Sequence, residues 1–236
     1  MKTQTDDTGM IEAKVDRRIK YPCYKSFDEF IDVERLKALD GYIVERIKQH
    51  LAAQGDDYFL NEYRLIASTP HKPGAREIWL TRTRPGVPYN YLDLDKPQLW
   101  RLTEAASEFS QLMEFIETLP FKATGRMLII YDDTYTPVPA HRDHITPEIC
   151  HEFIWFRTNL SKPFYMLDHR TGDKLYVESY SAWFDTVNQF HGTDAGEGLT
   201  FSVRVDGVFT DEFRGLIPRP DYNAASAPAL WASISG

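Results

Sequence analysis

His141-Arg142-Asp143 and, much later, Phe190-His191-Gly192 carry the residue types that hold a ferrous ion. Two imidazoles and one carboxylate make the facial triad of mononuclear non-haem iron, which leaves the opposite face of the ion open for a co-substrate and oxygen. His141 and Asp143 are one residue apart, so on an extended segment their side chains point the same way. His191 stands 48 positions beyond Asp143, enough chain for several strands to go out and return. A His-x-Asp alone arises often by chance. The pair, a later His in an apolar strand context and a basic residue soon after it form a more specific combination. His141, Asp143 and His191 are therefore the expected metal ligands and catalytic residues.

Iron(II) needs an electron source to split oxygen. A 2-oxo acid supplies two electrons by decarboxylating, after chelating the metal through its oxo and carboxylate groups. Its far carboxylate then calls for a fixed cation, and an arginine fork binds a carboxylate bidentately without losing its proton. Arg204 lies 13 positions after His191, on the strand expected to follow the ligand-bearing segment. Ser202 shares its face, while Phe201, Val203 and Val205 occupy the other. Asn188 is expected either to bond a ligand or the co-substrate, or to serve as a turn residue. His144 and His151 read as supporting or solvent residues, and His50, His71 and His169 as exposed ones.

These side chains must be positioned by a chain of 236 residues, most economically one domain. A hydrophobic fraction of 42% with 14% aromatics excludes a disordered or fibrous class. The net charge of −8 argues against nucleic acid as a partner, because no basic excess is present to neutralise phosphates. Two distant cysteines, Cys23 and Cys150, argue against a disulfide framework. Without a signal-like apolar run or a long apolar stretch, the expectation is a cytoplasmic protein with no membrane span.

Residues 1–20 read as a flexible leader, 21–217 as one domain and 218–236 as a tail. Ser26 with Glu29 suggests a capping box opening a helix, and Tyr42 to Ala53 a second, amphipathic helix. Short β runs are expected at Tyr63–Ser68 and Glu77–Thr83, then a long helix from Leu99 to Leu119. From there the chain reads as β: Arg126–Tyr131, Phe153–Thr158, Phe164–Leu167, Lys174–Val177, Ala182–Val187 and Leu199–Val205, with turn signals between. The helical part spans 21–120 and the β core about 63–210, giving an α+β unit with a barrel or sandwich around the metal.

Val138-Pro139-Ala140-His141-Arg142-Asp143 resembles the first ligand motif of the iron(II)/2-oxoglutarate-dependent oxygenases, most closely the aspartyl/asparaginyl β-hydroxylase-like branch that includes proline hydroxylases. The likeness continues through Phe156-Arg157-Thr158-Asn159, Ala182 to Asn188, Phe190-His191-Gly192 and Thr200 to Gly207, over roughly residues 126–210. The resemblance implies a double-stranded β-helix (cupin, jelly-roll) core with N-terminal and flanking helices. It also implies iron(II) on His141, Asp143 and His191, with 2-oxoglutarate and O2 as co-substrates and Arg204 as the oxoglutarate anchor. In proline-hydroxylase-like members the anchor lies nearer the distal His, at the place of Thr200 or Phe201 here. The 192–198 loop is taken to displace it to Arg204, with Arg157 and Arg126 as the alternatives.

By the same analogy Arg76, Arg82 and Arg84 would lie near the barrel mouth, and Arg82, Arg84 and Arg157 are candidates to meet substrate. Tyr89, Tyr91 and Trp100 are candidates for a lid. The implied activity is hydroxylation of an unactivated C–H bond in an amino acid or a small amino-acid-derived metabolite, releasing succinate and CO2. Three alternatives stay open: a peptide or protein side-chain hydroxylase, a cupin isomerase or hydrolase on another metal, and a non-catalytic β-barrel binding protein.

Overall fold

The computed structural model describes residues 21–54, 75–143 and 151–218. The expected β run at Tyr63–Ser68, together with His71, His144 and Cys150, lies outside them. Strand β1 (Tyr24–Ser26) comes first, so Ser26 opens no helix. Its hydroxyl accepts from the backbone N–H of Asp28 instead, and the cap belongs to Asp32, whose carboxylate accepts from Arg35 N at 2.9 Å ahead of α1 (Val33–Ala38). Helix α2 (Asp40–Gln54) follows, burying Ile43 and Ile47 one turn apart.

Strand β2 (Ala75–Trp79) joins the main sheet, and β3 (Thr81–Thr83) forms a small ribbon with β4 (Trp100–Leu102). This ribbon corrects the helix expected from Leu99. Leu102 continues the apolar stripe on paper but is 55% exposed, and Thr103 is tied to Trp79 O through its hydroxyl at 2.7 Å. Helix begins only at Glu104 and comes in two pieces, α3 (Glu104–Glu108) and α4 (Ser110–Ile116). They are broken at Phe109, whose ring is fully buried while its backbone leaves the helical region.

Eight strands make the core: β5 (Phe121–Asp132), β6 (Val138–His141), β7 (Phe153–Phe156), β8 (Phe164–Leu167), β9 (Lys174–Tyr176), β10 (Ser181–Phe184), β11 (Phe190–Thr193) and β12 (Thr200–Phe209). With β1 and β2 added at the edges of one sheet, they make a six-stranded sheet ordered β1-β10-β7-β12-β5-β2 and a four-stranded sheet ordered β6-β11-β8-β9, and the pairings are antiparallel. From β5 onward the chain crosses between the sheets at every connection but the β8–β9 hairpin. That is the winding of a double-stranded β-helix. A short helix, α5 (Asp211–Arg214), closes the described chain.

The outer face of the large sheet is apolar because helices cover it. Met127, Ile129, Val203 and Val205 lie in one cluster with Ile43, Ile47, Phe109 and Phe115. Each such fully buried side chain contributes about 1.5–3 kcal/mol by area. The inner face of β12 alternates with these valines and carries Ser202, Arg204 and Asp206. Both faces of the strand are therefore buried, one in hydrocarbon and the other against the charges between the sheets.

Candidate metal centre

His141 and His191 are direct cross-strand partners of β6 and β11, with ring centroids 4.5 Å apart. That approach requires a glycine beside the second histidine. A Cβ on Gly192 would stand 2.5 Å from Val138 O and 2.7 Å from the Tyr165 hydroxyl, so any side chain there would push β6 off β11. Asp143 sits just past β6, fixed by its N–H on Thr186 O at 2.8 Å. Thr186 belongs to a turn in which the Asp185 carboxylate accepts from the backbone N–H of Val187 and Asn188.

The ring orientations select for metal binding. Nδ1 of His141 lies 2.9 Å from Pro139 O, and Nδ1 of His191 lies 3.3 Å from Gln189 O. Each ring thus has a backbone acceptor for an Nδ1 proton, which leaves the Nε2 lone pair directed at the partner groups. Those two Nε2 atoms stand 3.6 and 3.4 Å from Oδ1 of Asp143, and the three ligand atoms lie within 4.8 Å of one another. Ligands at about 2.1 Å and right angles to one another are about 3 Å apart, so small shifts would close the set on one ion. Nε2 of His141 is buried without a hydrogen-bond partner, the condition of an atom awaiting a ligand. Burial, then the neighbouring His141, pushes the His191 pKa below its ordinary value, which keeps the ring in the neutral form a metal requires. The donor set fits iron(II).

Behind the ligands lies a ladder of charges. Arg204 donates from Nη1 to Oδ2 of Asp143 at 2.9 Å and from Nε and Nη2 to Oδ1 of Asp206 at 3.0 and 2.9 Å. Arg126 donates from Nε to Oδ2 of Asp206 at 2.9 Å. Asp206 is fully buried; burial alone would raise its pKa, but Arg126 and Arg204 outweigh that and hold it below the usual carboxylate range. The Phe153 ring faces the Arg204 guanidinium at 4.0 Å. Tyr91 closes the other side: burial, then the nearby Asp143 charge, pushes its phenol up to about 12. His151, 4% exposed, packs edge-on against the Tyr91 ring at 5.0 Å.

Several expected site residues stand elsewhere. Arg157 is committed to backbone: its Nε and Nη1 donate to the carbonyls of Ser179 and Lys162 at 3.2 and 3.0 Å, and its Nη2 to that of Val177. The Asn188 amide donates to both oxygens of Asp185 at 3.1 and 2.9 Å, within the 185–188 turn. Arg84 is exposed, with Nε on Gln98 O at 2.9 Å, and Arg82 lies half-buried opposite Arg101 on the β3–β4 ribbon, so neither sits on a ligand-bearing strand. Ser202 is half-buried on the Arg204 face of β12. Asp206 enters the site unannounced, and Tyr91, expected only as a candidate for a lid, stands close enough to Asp143 and Arg204 to feel their charges. The Arg-x-Asp alternation on one strand face was the available signal for Asp206, whereas nothing local tied Tyr91 to Asp143.

No protein-family model and no curated protein sequence matches the chain. Similar solved structures include a prolyl-4-hydroxylase from Pseudomonas putida, with 11% identity, 79% of this chain and 92% of that one covered, and a TM-score of 0.45. Another is a prolyl hydroxylase from Trichoplax adhaerens in complex with a hypoxia inducible factor peptide fragment (7% identity, 84% and 89% covered, TM-score 0.44). A third is a 2OG-Fe(II) oxygenase family oxidoreductase from Burkholderia pseudomallei (12% identity, 74% and 90% covered, TM-score 0.38). At these identities and scores, the chemistry of the site rests on its own geometry: a double-stranded β-helix whose two sheets converge on a His-Asp-His metal centre.

Proposed function

We propose that the protein is an iron(II)- and 2-oxoglutarate-dependent dioxygenase that hydroxylates an unactivated C–H bond of an amino acid or a small amino-acid-derived metabolite. The observation that carries this reading is the pair of opposed histidines. Both have Nδ1 on carbonyls two residues upstream and present Nε2 to a single oxygen of Asp143. Three ligands on one side of an ion leave its other side for exogenous groups. When bound, ferrous iron with 2-oxoglutarate couples decarboxylation to the four-electron reduction of O2, giving succinate, CO2 and a hydroxylated product.

The charges of the ladder support a dicarboxylate co-substrate. Asp143 and Asp206 balance Arg126 and Arg204, and the His191 ring is held neutral. A divalent ion adds two positive charges, and an oxo diacid supplies the two negative charges that cancel them. Arg204 has five N–H donors, of which three are committed to Asp143 and Asp206. The remaining two, with the Ser202 hydroxyl on the same strand face, would meet the far carboxylate. The Arg126 bond to Asp206 keeps that face of β12 charged and fixed.

The test is anaerobic addition of Fe(II) and 2-oxoglutarate, followed by oxygen. The expected results are a metal-to-oxo-acid charge-transfer band before oxygen and succinate after it. Succinate formation should rise when the true substrate is present in a panel of free amino acids and their derivatives. A chain that binds iron but shows neither the band nor succinate would instead be a metal-dependent hydrolase or isomerase.

A further inference from the structure

We propose that Asp206 is a positioning residue for the metal: it holds the Arg204 guanidinium against Oδ2 of Asp143, so that Asp143 offers the ion Oδ1 alone. The inference rests on the metal reading above and adds a residue and a task to it.

A carboxylate can bind an ion through one oxygen or two. If Asp143 swung to use both, it would take one of the positions that must stay open opposite the histidines. Its backbone is fixed by Thr186 O, but that bond leaves the side-chain rotation free. What sets the rotation is Nη1 of Arg204, which occupies Oδ2 at 2.9 Å while Oδ1 faces the two Nε2 atoms at 3.6 and 3.4 Å. Arginine is itself long and rotamer-rich, so one bond to Asp143 would not hold it in place. Asp206 supplies the second grip, accepting from both Nε and Nη2 on one oxygen. The other oxygen is pinned by Nε of Arg126, and the Phe153 ring at 4.0 Å limits movement of the guanidinium. Asp206 lies two positions beyond Arg204 on the same face of β12 and is fully buried, so the grip is built into the strand.

The experiment measures Mn(II) affinity and the Co(II) absorption spectrum, neither of which needs turnover or 2-oxoglutarate. Asp206→Asn keeps the shape and removes the charge that grips Arg204. Arg204→Lys keeps the charge but replaces the fork with one ammonium that cannot bridge both carboxylates. Both variants are expected to bind Mn(II) 10–100-fold more weakly than wild type, the usual cost of losing a partner that orients a ligand. Both should also shift the Co(II) bands as Asp143 changes its mode of binding. Arg46→Met removes an ion pair to Glu108 on the helices, outside the ladder, and should stay within twofold of wild type with unshifted bands. Wild-type affinity and spectrum in both Asp206→Asn and Arg204→Lys would overturn the proposal. So would an Arg46→Met variant weakened as much as Asp206→Asn, since the loss would then follow from removal of any ion pair rather than from the clamp. A wild-type chain that binds neither ion would overturn the metal reading and this inference together.

Discussion

Arg157 and Arg204 are buried alike, at 4% and 5% exposure, and they do opposite things. Arg157 lies over the Trp155 ring at 5.2 Å and donates to the neutral backbone carbonyls of Ser179, Lys162 and Val177. Burial pulls its pKa down to about 10. Arg204 lies against the Phe153 ring and donates to two carboxylates, one of them in the His-Asp-His group, so its pKa rises although burial alone would lower it. The first stitches a loop to a strand. The second sets charge beside a reaction site. Burial of a cation therefore says nothing about its task until the chemistry of its acceptors is known.

The contrast yields a graded set of outcomes. The largest belongs to the ligands: Asp143→Ala should lower divalent-metal affinity at least about a thousandfold by calorimetry, since one of three donors and the only ligand charge are lost. Arg157→Met should leave metal affinity within about threefold yet destabilise the fold by about 3 kcal/mol or more in urea, because it leaves buried carbonyls unpaired. If Arg157→Met instead spared stability and weakened metal binding, the two arginines would not be divided as described.

Gly192→Ala comes next. A methyl group 2.5 Å from Val138 O must part β6 from β11, so both stability (about 1–3 kcal/mol) and metal affinity should fall together. A smaller effect concerns pH. Burial holds the folded pKa of His191 below the unfolded value of about 6.5, so the unfolded chain takes up this proton first as pH drops. Stability of the metal-free protein should therefore decline as pH falls from about 6.5 toward the depressed folded value, and chelation at pH 8 should not reproduce that slope. The smallest effect is expected at Arg84→Ala, an exposed change that should stay within about 0.5 kcal/mol and leave metal binding untouched.

That His141, Asp143 and His191 come together was legible in the sequence because their chemistry is scarce and their spacing restrictive. A two-residue step on a strand fixes one face, and only closure of the β-helix had to be assumed for His191. The β strands after residue 126 were legible for a similar reason, since runs such as Phe164–Leu167 are bounded by turn residues on both sides. What failed was local propensity overruled by tertiary packing. Leu99–Leu102 has a helical pattern, but Trp100 is drawn into a cluster with Trp79, Leu94 and Leu128, and Trp100–Leu102 becomes strand. Ser26-x-x-Glu29 spells a cap, but β1 pairs with β10 there and Asp28 turns to accept from Ser181 instead. Asn188 and Arg157 carried the right residue types for ligand contact. Their partners, Asp185 and three carbonyls, are set by turn geometry that a linear reading does not supply.

Strand β6 is a four-residue edge strand with a single neighbour, β11, and the register between them slips after the paired histidines. An ion held by His141 and His191 would rivet that margin of the small sheet to its interior, at the place where the ladder of amide bonds is thinnest. Filling the centre and silencing the breathing of this border are then one event, visible as slowed deuterium uptake at residues 138–141 before any substrate is added.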